Sequence, residues 1–262
     1  MDCSWQWSDW EGLPYLTCSL LKDWQHGFFT QKFFPRVPEQ LTPILNSDGS
    51  VHRVKQVHGN RVLTPKEIEL AQSLPMENSY PDGDGIITDA TGQAVWVASA
   101  DCNPLLIGDV ATGRVSAIHA GWRGTAKKIV PQAIASLMKM GSNLDNLRIA
   151  MGPAIAGEVY QVAETVAAEV GASIIPDAKT KTEALILKEL TQLPNCPVLE
   201  DPTPQRVRLD VRRVNQIQLE QLGISSEQIA IAPYCTYQHS DRFFSYRRTK
   251  EKKVQWSGIV SN

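Results

Sequence analysis

The chain has 262 residues, 42% of them hydrophobic and 21% charged, with 17 Gly and 16 Pro, a balance that excludes fibrous, collagenous and low-complexity classes. Twenty-six basic against 28 acidic residues leave a net charge of −2, too little to hold a polyanion, so no nucleic-acid partner is expected. At roughly 150 residues per domain this length permits one large domain or two small ones, and a core of that size needs no metal merely to stay folded, so a bound metal would serve chemistry.

The first ten residues carry Trp5, Trp7 and Trp10, large aromatics suited to packing. Short β-branched or aromatic runs bounded by Gly, Pro or Asp predict strands at 15–20, 27–30, 51–57, 86–88, 95–99, 105–108 and 115–119. Beyond Gly124 the period changes. Ile129, Ala133, Ile134, Leu137 and Met138 fall at helical spacing before a stop at Gly141, which predicts an amphipathic helix. A strand at 147–151 ends at Gly152-Pro153, and Val162, Val166 and Val170 place a helix over 159–170. A further helix over 211–222 stops at Gly223, with strands at 229–232 and 243–246 to follow. The class is α/β or α+β. The Pro-containing stretches 37–50, 74–85 and 194–205 read as long surface loops, so one domain over 1–262 is expected. The lysines at 250, 252 and 253 read as a solvated hairpin turn.

Asp2, Asp9 and Glu11 lie near the start without a basic region, and no run of 18 apolar residues occurs. Neither a signal peptide nor a membrane span is therefore expected, and the expected location is the cytoplasm. Cys3, Cys18, Cys102, Cys196 and Cys235 are odd in number and form no C-x-x-C pair, so they read as free thiols or ligands.

Several short catalytic signatures are absent, among them H-E-x-x-H, G-x-S-x-G and G-x-G-x-x-G. Glu158 stands where a P-loop beginning at Gly152 would need its Lys. Asp82-Gly83-Asp84-Gly85 resembles the start of a calcium loop, but Ile86 and Gln93 occupy ligand positions, and it reads as a tight turn. What remains is a distributed set: His58 in Gln56-Val57-His58-Gly59, Cys102 in Asp101-Cys102-Asn103-Pro104, and His119 at the end of a predicted strand. Two imidazoles and one thiolate make a three-ligand set for zinc with the fourth position open; the other reading is two satisfied histidines and a buried thiol. After His119, Gly121 and Gly124 turn the backbone and Thr125 is a candidate N-cap. With Arg123 beside it, that helix start can receive phosphate or carboxylate, or it is a capped helix whose Arg points to water.

These segments, with Gly152-Pro153, Ala156-Gly157 and Phe243-Phe244-Ser245-Tyr246-Arg247, together resemble the YfiH-type purine nucleoside phosphorylase family, formerly called multicopper polyphenol oxidoreductases or laccase-like proteins. The run His119-Ala120-Gly121-Trp122-Arg123-Gly124-Thr125 is its most specific element. The resemblance runs from His26 to Arg248, with 1–25 as an N-terminal strand or arm. It implies a layered α/β sandwich shared with cysteine deamidase toxins and a zinc site on His58, Cys102 and His119. It also implies phosphorolysis of adenosine, inosine and methylthioadenosine, with adenosine deamination beside it. The partners are then a nucleoside and phosphate, and a monomer or weak homodimer is expected. Arg123, Gly124, Thr125 and Gln56 are candidates for contacting substrate and phosphate, and Asp101 for supporting the ligands or moving a proton. Two segments depart from the family pattern. Gln31-Lys32-Phe33-Phe34-Pro35-Arg36 lacks a Gly-rich loop, and Thr249-Lys250-Glu251-Lys252-Lys253 stands where a Gly-Arg pair often follows, which puts phosphate contacts there in doubt.

Two other chemistries use the same residues. A metal-free cysteine hydrolase would employ Cys102 as nucleophile and His119 as its base on an amide bond. A copper-dependent polyphenol oxidase would need several copper ions; the five histidines include no His-x-His pair, leaving only adventitious copper at the trio.

Overall fold

The computed structural model describes residues 4–73 and 80–262, so part of the expected loop over 74–85 lies outside the described residues. The strands in chain order are β1 (Trp5–Trp10), β2 (Leu13–Cys18), β3 (His26–Phe29), β4 (Ser50–His52) and β5 (Val62–Leu63). They continue with β6 (Gly85–Ile87), β7 (Gln93–Ser99), β8 (Asn103–Asp109), β9 (Val115–Ala120) and β10 (Leu147–Met151). The last five are β11 (Gln161–Ala163), β12 (Val198–Glu200), β13 (Arg206–Leu209), β14 (Ile229–Ile231) and β15 (Gln255–Val260). The helices are α1 (Pro38–Leu45), α2 (Pro65–Gln72), α3 (Trp122–Ala126) and α4 (Ile129–Lys139), then α5 (Glu164–Gly171), α6 (Glu183–Thr191), α7 (Val211–Gln221) and α8 (Tyr246–Thr249).

Two six-stranded sheets dominate, ordered β1-β2-β3-β15-β7-β4 and β14-β10-β8-β9-β6-β5, with a three-stranded sheet β11-β13-β12 beside them. Leu16, Phe28, Val95, Val97 and Ile259 of the first sheet share one buried cluster with Ile86, Leu106, Ala117 and Ala150 of the second. The opposite face of the second sheet, through Leu105, Ile107 and Ile118, is covered by Ile129, Val130, Ala133, Ile134 and Leu137 of α4 and by Leu219 of α7. The outer face of the first sheet, through Phe29 and Trp96, packs on Leu41 and Leu45 of α1. The result is a mixed α/β layering, helix, sheet, sheet, helix, as two sheets with apolar faces require. Strands β8 and β9 are buried at every position, which is why their sequences read as continuous apolar runs rather than alternations.

Several elements differ from the expectations. The stretch 37–50 contains α1, which starts at Pro38, a position where Pro is preorganised for a helix. The stretch 194–205 contains β12, paired with β13. The helix predicted over 159–170 begins only at Glu164, because Val162 pairs with Val207 in the third sheet, and sheet pairing overrides local helical spacing. The strand predicted over 51–57 ends at His52, where the chain leaves the sheet. The run 243–246 is not a strand. Phe243 turns inward against Trp7 and Tyr234, and Ser245 caps α8 by accepting from the Arg248 N–H. Trp5, Trp7 and Trp10 are packing residues, facing Phe28, Tyr234 and Phe33 respectively. No helix among the described residues is long and apolar enough to cross a membrane.

Candidate active site

The site forms where the chain changes sheets. β7 ends at Ser99 in the first sheet and β8 begins at Asn103 in the second, so three residues cross the gap. Asp101 adopts a left-handed backbone conformation there, φ 89°, which is costly for a non-glycine residue and turns Cys102 back toward β9. His119 occupies the penultimate position of β9, opposite Pro104 of β8. His58 comes from the loop after β4 and is also left-handed, φ 58°. One donor atom from each of His58, Cys102 and His119 lies within 4.8 Å of the others. The Cys102 Sγ stands 4.0 Å from the His58 Nε2, and the two imidazoles meet edge to face with centroids 4.9 Å apart.

A fourth residue organises this trio. Asp84, fully buried, lies in the segment that reads as a tight turn. Its carboxylate accepts from the backbone N–H groups of Val57 at 3.2 Å, His58 at 2.9 Å and Gly59 at 2.6 Å. The same carboxylate meets the His119 Nδ1 at 2.9 Å, which places the proton on Nδ1 and leaves the other ring nitrogen as the donor. Burial alone would raise the Asp84 carboxyl, but the His119 hydrogen bond and the Gly59 and Val57 N–H groups hold it below the ordinary carboxylate value. One buried carboxylate therefore sets both the loop that carries His58 and the tautomer of His119.

Burial pushes the Cys102 thiol up, yet the His119 and His58 rings outweigh it and bring the thiol down to about 6. Burial likewise lowers His119, while the Cys102 sulfur and Asp84 raise it to about 9. Without a metal the pair is a thiolate beside an imidazolium. With one, the imidazolium would give up the proton on its Nε2 to the cation and keep the Nδ1 proton that faces Asp84.

Space for an ion is kept by Gly121. A Cβ at that position would lie 2.7 Å from the Cys102 Sγ and 3.2 Å from the His58 Cδ2, so only glycine lets the chain pass this close to the donors. The donor set, two imidazoles and a thiolate of lowered pKa with a carboxylate behind one ring, can hold a metal ion.

Cys102 lines two cavities. A cleft of about 430 Å³ is walled by Val54, Gln56, His58, Cys102, His119 and Tyr246, among others, and Glu251, Lys252 and Lys253 form part of its lining. A second, smaller recess of about 30 Å³ is lined by Cys102 with Asp101, Trp122, Tyr160 and Arg212 among others. Tyr160 is pushed up to about 12 by burial and by the neighbouring Cys102, and the Arg247 guanidinium lies 4.7 Å from its ring.

The remaining candidates are placed differently. The Gln56 side chain is on the cleft, but its amide is engaged with the Ala98 backbone, donating at 2.8 Å and accepting at 2.7 Å. The Asp101 carboxylate makes no hydrogen bond to the trio; it accepts from the Thr236 hydroxyl and the Arg247 N–H, both at 2.7 Å, and so ties the β7–β8 crossing to the 236–247 region. The support expected of it falls to Asp84. Thr125 is not an N-cap: it lies inside α3, fully buried, and its hydroxyl donates to the Asn215 Oδ1 at 3.0 Å. Gly124 packs against the Gly59 carbonyl, and Arg123 stacks on Trp122 at 4.2 Å. None of these three lines either cavity. The 250–253 lysines, expected in a solvated hairpin, instead precede β15, and two of them stand on the cleft.

The family described as multi-copper polyphenol oxidoreductase laccase matches residues 38–260. The chain is 55% identical, over 99% of its length and 98% of the relative's, to a purine nucleoside phosphorylase of Synechocystis sp.. It is 27% identical to an adenosine deaminase from an unknown prokaryotic organism, over 74% of this chain and 68% of that one. In fold it is similar to YlmD from Geobacillus stearothermophilus, with a TM-score of 0.80, 21% identity and 98% of each chain covered. The chain belongs to the multi-copper polyphenol oxidoreductase laccase family, and it is an enzyme.

Proposed function

We propose that this chain is a zinc-dependent purine nucleoside phosphorylase that also deaminates adenosine. The observation carrying the reading is the convergence of three donors from separate elements within 4.8 Å, with glycine where a side chain would fill the space. The name of the Synechocystis relative supports the phosphorylase assignment, and that of the more distant relative the deaminase. His58, Cys102 and His119 would hold the ion, which supplies a Lewis acid and a bound water of lowered pKa. Asp84 keeps the two histidines aimed. The cleft is mostly apolar near the trio, through Val54, Ala98, Ala100 and Trp256, and Tyr246 lines it while 49% exposed, a surface on which a flat purine stacks. In phosphorolysis a phosphate oxygen bonds to the ribose C1′ as the C1′–N9 bond breaks. The electron pair leaves with the purine, which takes up a proton, and a cleft that holds both reactants in line lowers the entropic barrier. The whole chain acts as one domain in the cytoplasm in this reading, with a nucleoside and phosphate as its partners.

The test is zinc content of purified protein together with turnover of adenosine, inosine and methylthioadenosine. One zinc per chain and hypoxanthine release from inosine that requires phosphate are expected. Fully loaded protein that releases no hypoxanthine overturns the assignment.

The thiolate–imidazolium pair of Cys102 and His119 favours a second reading, a cysteine hydrolase acting on an amide without metal. A thiolate committed to zinc is a poor nucleophile, so full amidase activity in chelator-stripped protein would select this reading. The copper reading has less support. Among the described residues the trio is the one group of three or more His, Cys, Asp or Glu placed to hold a metal, whereas a multicopper centre needs several such sets.

A further inference from the structure

We infer that Lys252 forms the anion subsite of the cleft, receiving inorganic phosphate in the same cleft that the trio lines; the inference rests on the phosphorylase reading and gives its second substrate a place. A phosphate entering an apolar-walled cleft needs a cation that is not already neutralised. The other basic residues around the site are paired, hydrogen-bonded or absent from the lining of the cleft, Lys250 among the last, its ammonium 5.5 Å from the Tyr246 ring. The Arg247 guanidinium donates to the Gln161 carbonyl at 2.7 Å and lies over Tyr160. Arg248 donates to the carbonyls of Thr236, Tyr237 and Phe243. Arg212, on the small recess, is paired with Asp210 at 3.3 Å. Lys253 is paired with Glu251 at 2.9 Å and its ammonium sits 5.9 Å from the Phe34 ring. Arg123 stacks on Trp122 and lines neither cavity.

Of the two basic residues that line the same cleft as His58, Cys102 and His119, Lys252 is the one that makes no ion pair or hydrogen bond with a described residue. The carboxylate nearest in sequence, Glu251, is occupied by Lys253, so Lys252 presents an unopposed positive charge. It comes from the segment between α8 and β15, which is held on both sides. Ser245 caps α8, and the Gln255 side-chain carbonyl accepts from the Phe244 N–H at 2.8 Å. The backbone carrying Lys252 is thereby fixed just before β15, an interior strand of the first sheet, while its long side chain stays free to follow an anion. A phosphate bound there faces a nucleoside lying on Tyr246.

The test is titration of the zinc-loaded protein with inorganic phosphate, followed by calorimetry, in wild type, Lys252→Ala, Lys252→Arg and Arg123→Ala. Lys252→Ala is expected to weaken phosphate binding and raise the phosphate KM by about three- to tenfold, as loss of one partly exposed charge-assisted contact does. The nucleoside KM should stay within about twofold, and Lys252→Arg should restore most of the phosphate affinity. Near-ultraviolet circular dichroism checks that the variants are folded. Wild-type phosphate affinity in folded Lys252→Ala overturns the inference, whatever Arg123→Ala does, and so does weakening that Lys252→Arg does not rescue. Wild-type protein that binds phosphate through Lys252 but releases no hypoxanthine overturns the phosphorylase reading and leaves the anion subsite standing.

Discussion

Asp84 concentrates more of the site on one side chain than any ligand does. Replacing it by Asn leaves an oxygen for the loop N–H groups but removes the charge facing His119. Asp84→Asn should therefore lower zinc affinity by about 10- to 100-fold, as loss of a carboxylate behind a ligating histidine typically does, and competition with a chromophoric chelator measures this directly. Cys102 offers a second residue-level test. In metal-free protein its alkylation rate should rise with pH through about 6, well below the ~8.5 of an ordinary thiol. A profile centred near 8.5 would show that His119 does not hold the thiolate. Both ligands and the sulfur were visible as candidates in the sequence because His and Cys are few and sit at strand ends. Asp84 was not, since a D-G-D-G segment signals a turn, and only the pairing of Gly85 with Ile118 brings it beneath His119.

Among the elements, β3 carries a buried histidine outside the trio. His26 is buried, with Nδ1 on the Trp24 carbonyl at 2.9 Å and Nε2 accepting the Cys18 N–H at 2.9 Å. Only the neutral ring satisfies both contacts. Burial lowers the pKa of His26 despite those backbone bonds, and burial also lowers His52 on β4 although Glu69 and Asp89 oppose it. A histidine with a lowered folded pKa contributes stability at pH above ~6.5 that is lost as pH falls, because the unfolded chain takes up the proton first. The urea midpoint should drop between pH 7 and pH 5, and His26→Gln should show a shallower drop whatever its midpoint at pH 7. Elements with strong periodicity, such as α4, α7 and β7 to β10, were legible because burial and propensity agree there. The helix α2 and the strands β11 to β13 were not. The former is short and carries only Ile68 and Pro65 to the core, and the latter exist through pairing between segments that local spacing does not connect.

At the scale of the molecule, two sheets lie close enough that small residues are required between them and their surroundings. A Cβ on Gly108 of β8 would stand 2.6 Å from the Trp24 ring. Gly108→Ala should cost about 1–3 kcal/mol by overpacking, or roughly 2–12 °C in Tm at ~2–4 °C per kcal/mol for a chain of this size. Differential scanning calorimetry checks it; an unchanged Tm would mean the ring can move aside at no cost. The α/β or α+β class was readable from the mixture of periods and the layering was implied only by the family resemblance, whereas the division into two sheets was not legible, because nothing in residues 99–103 marks a crossing between layers apart from the Asp101 turn.

Strand β15 lies between β3 and β7 in the first sheet, yet it is synthesised roughly 230 residues after β3, an interval of about 10–50 s at ~5–20 residues per second. Until it emerges from the ribosome, β3 and β7 have no shared neighbour, and their facing edges stand open. Nascent chains of this enzyme should therefore depend on holding factors during translation, and premature stop codons before position 255 should yield aggregating fragments rather than a folded, partly active core.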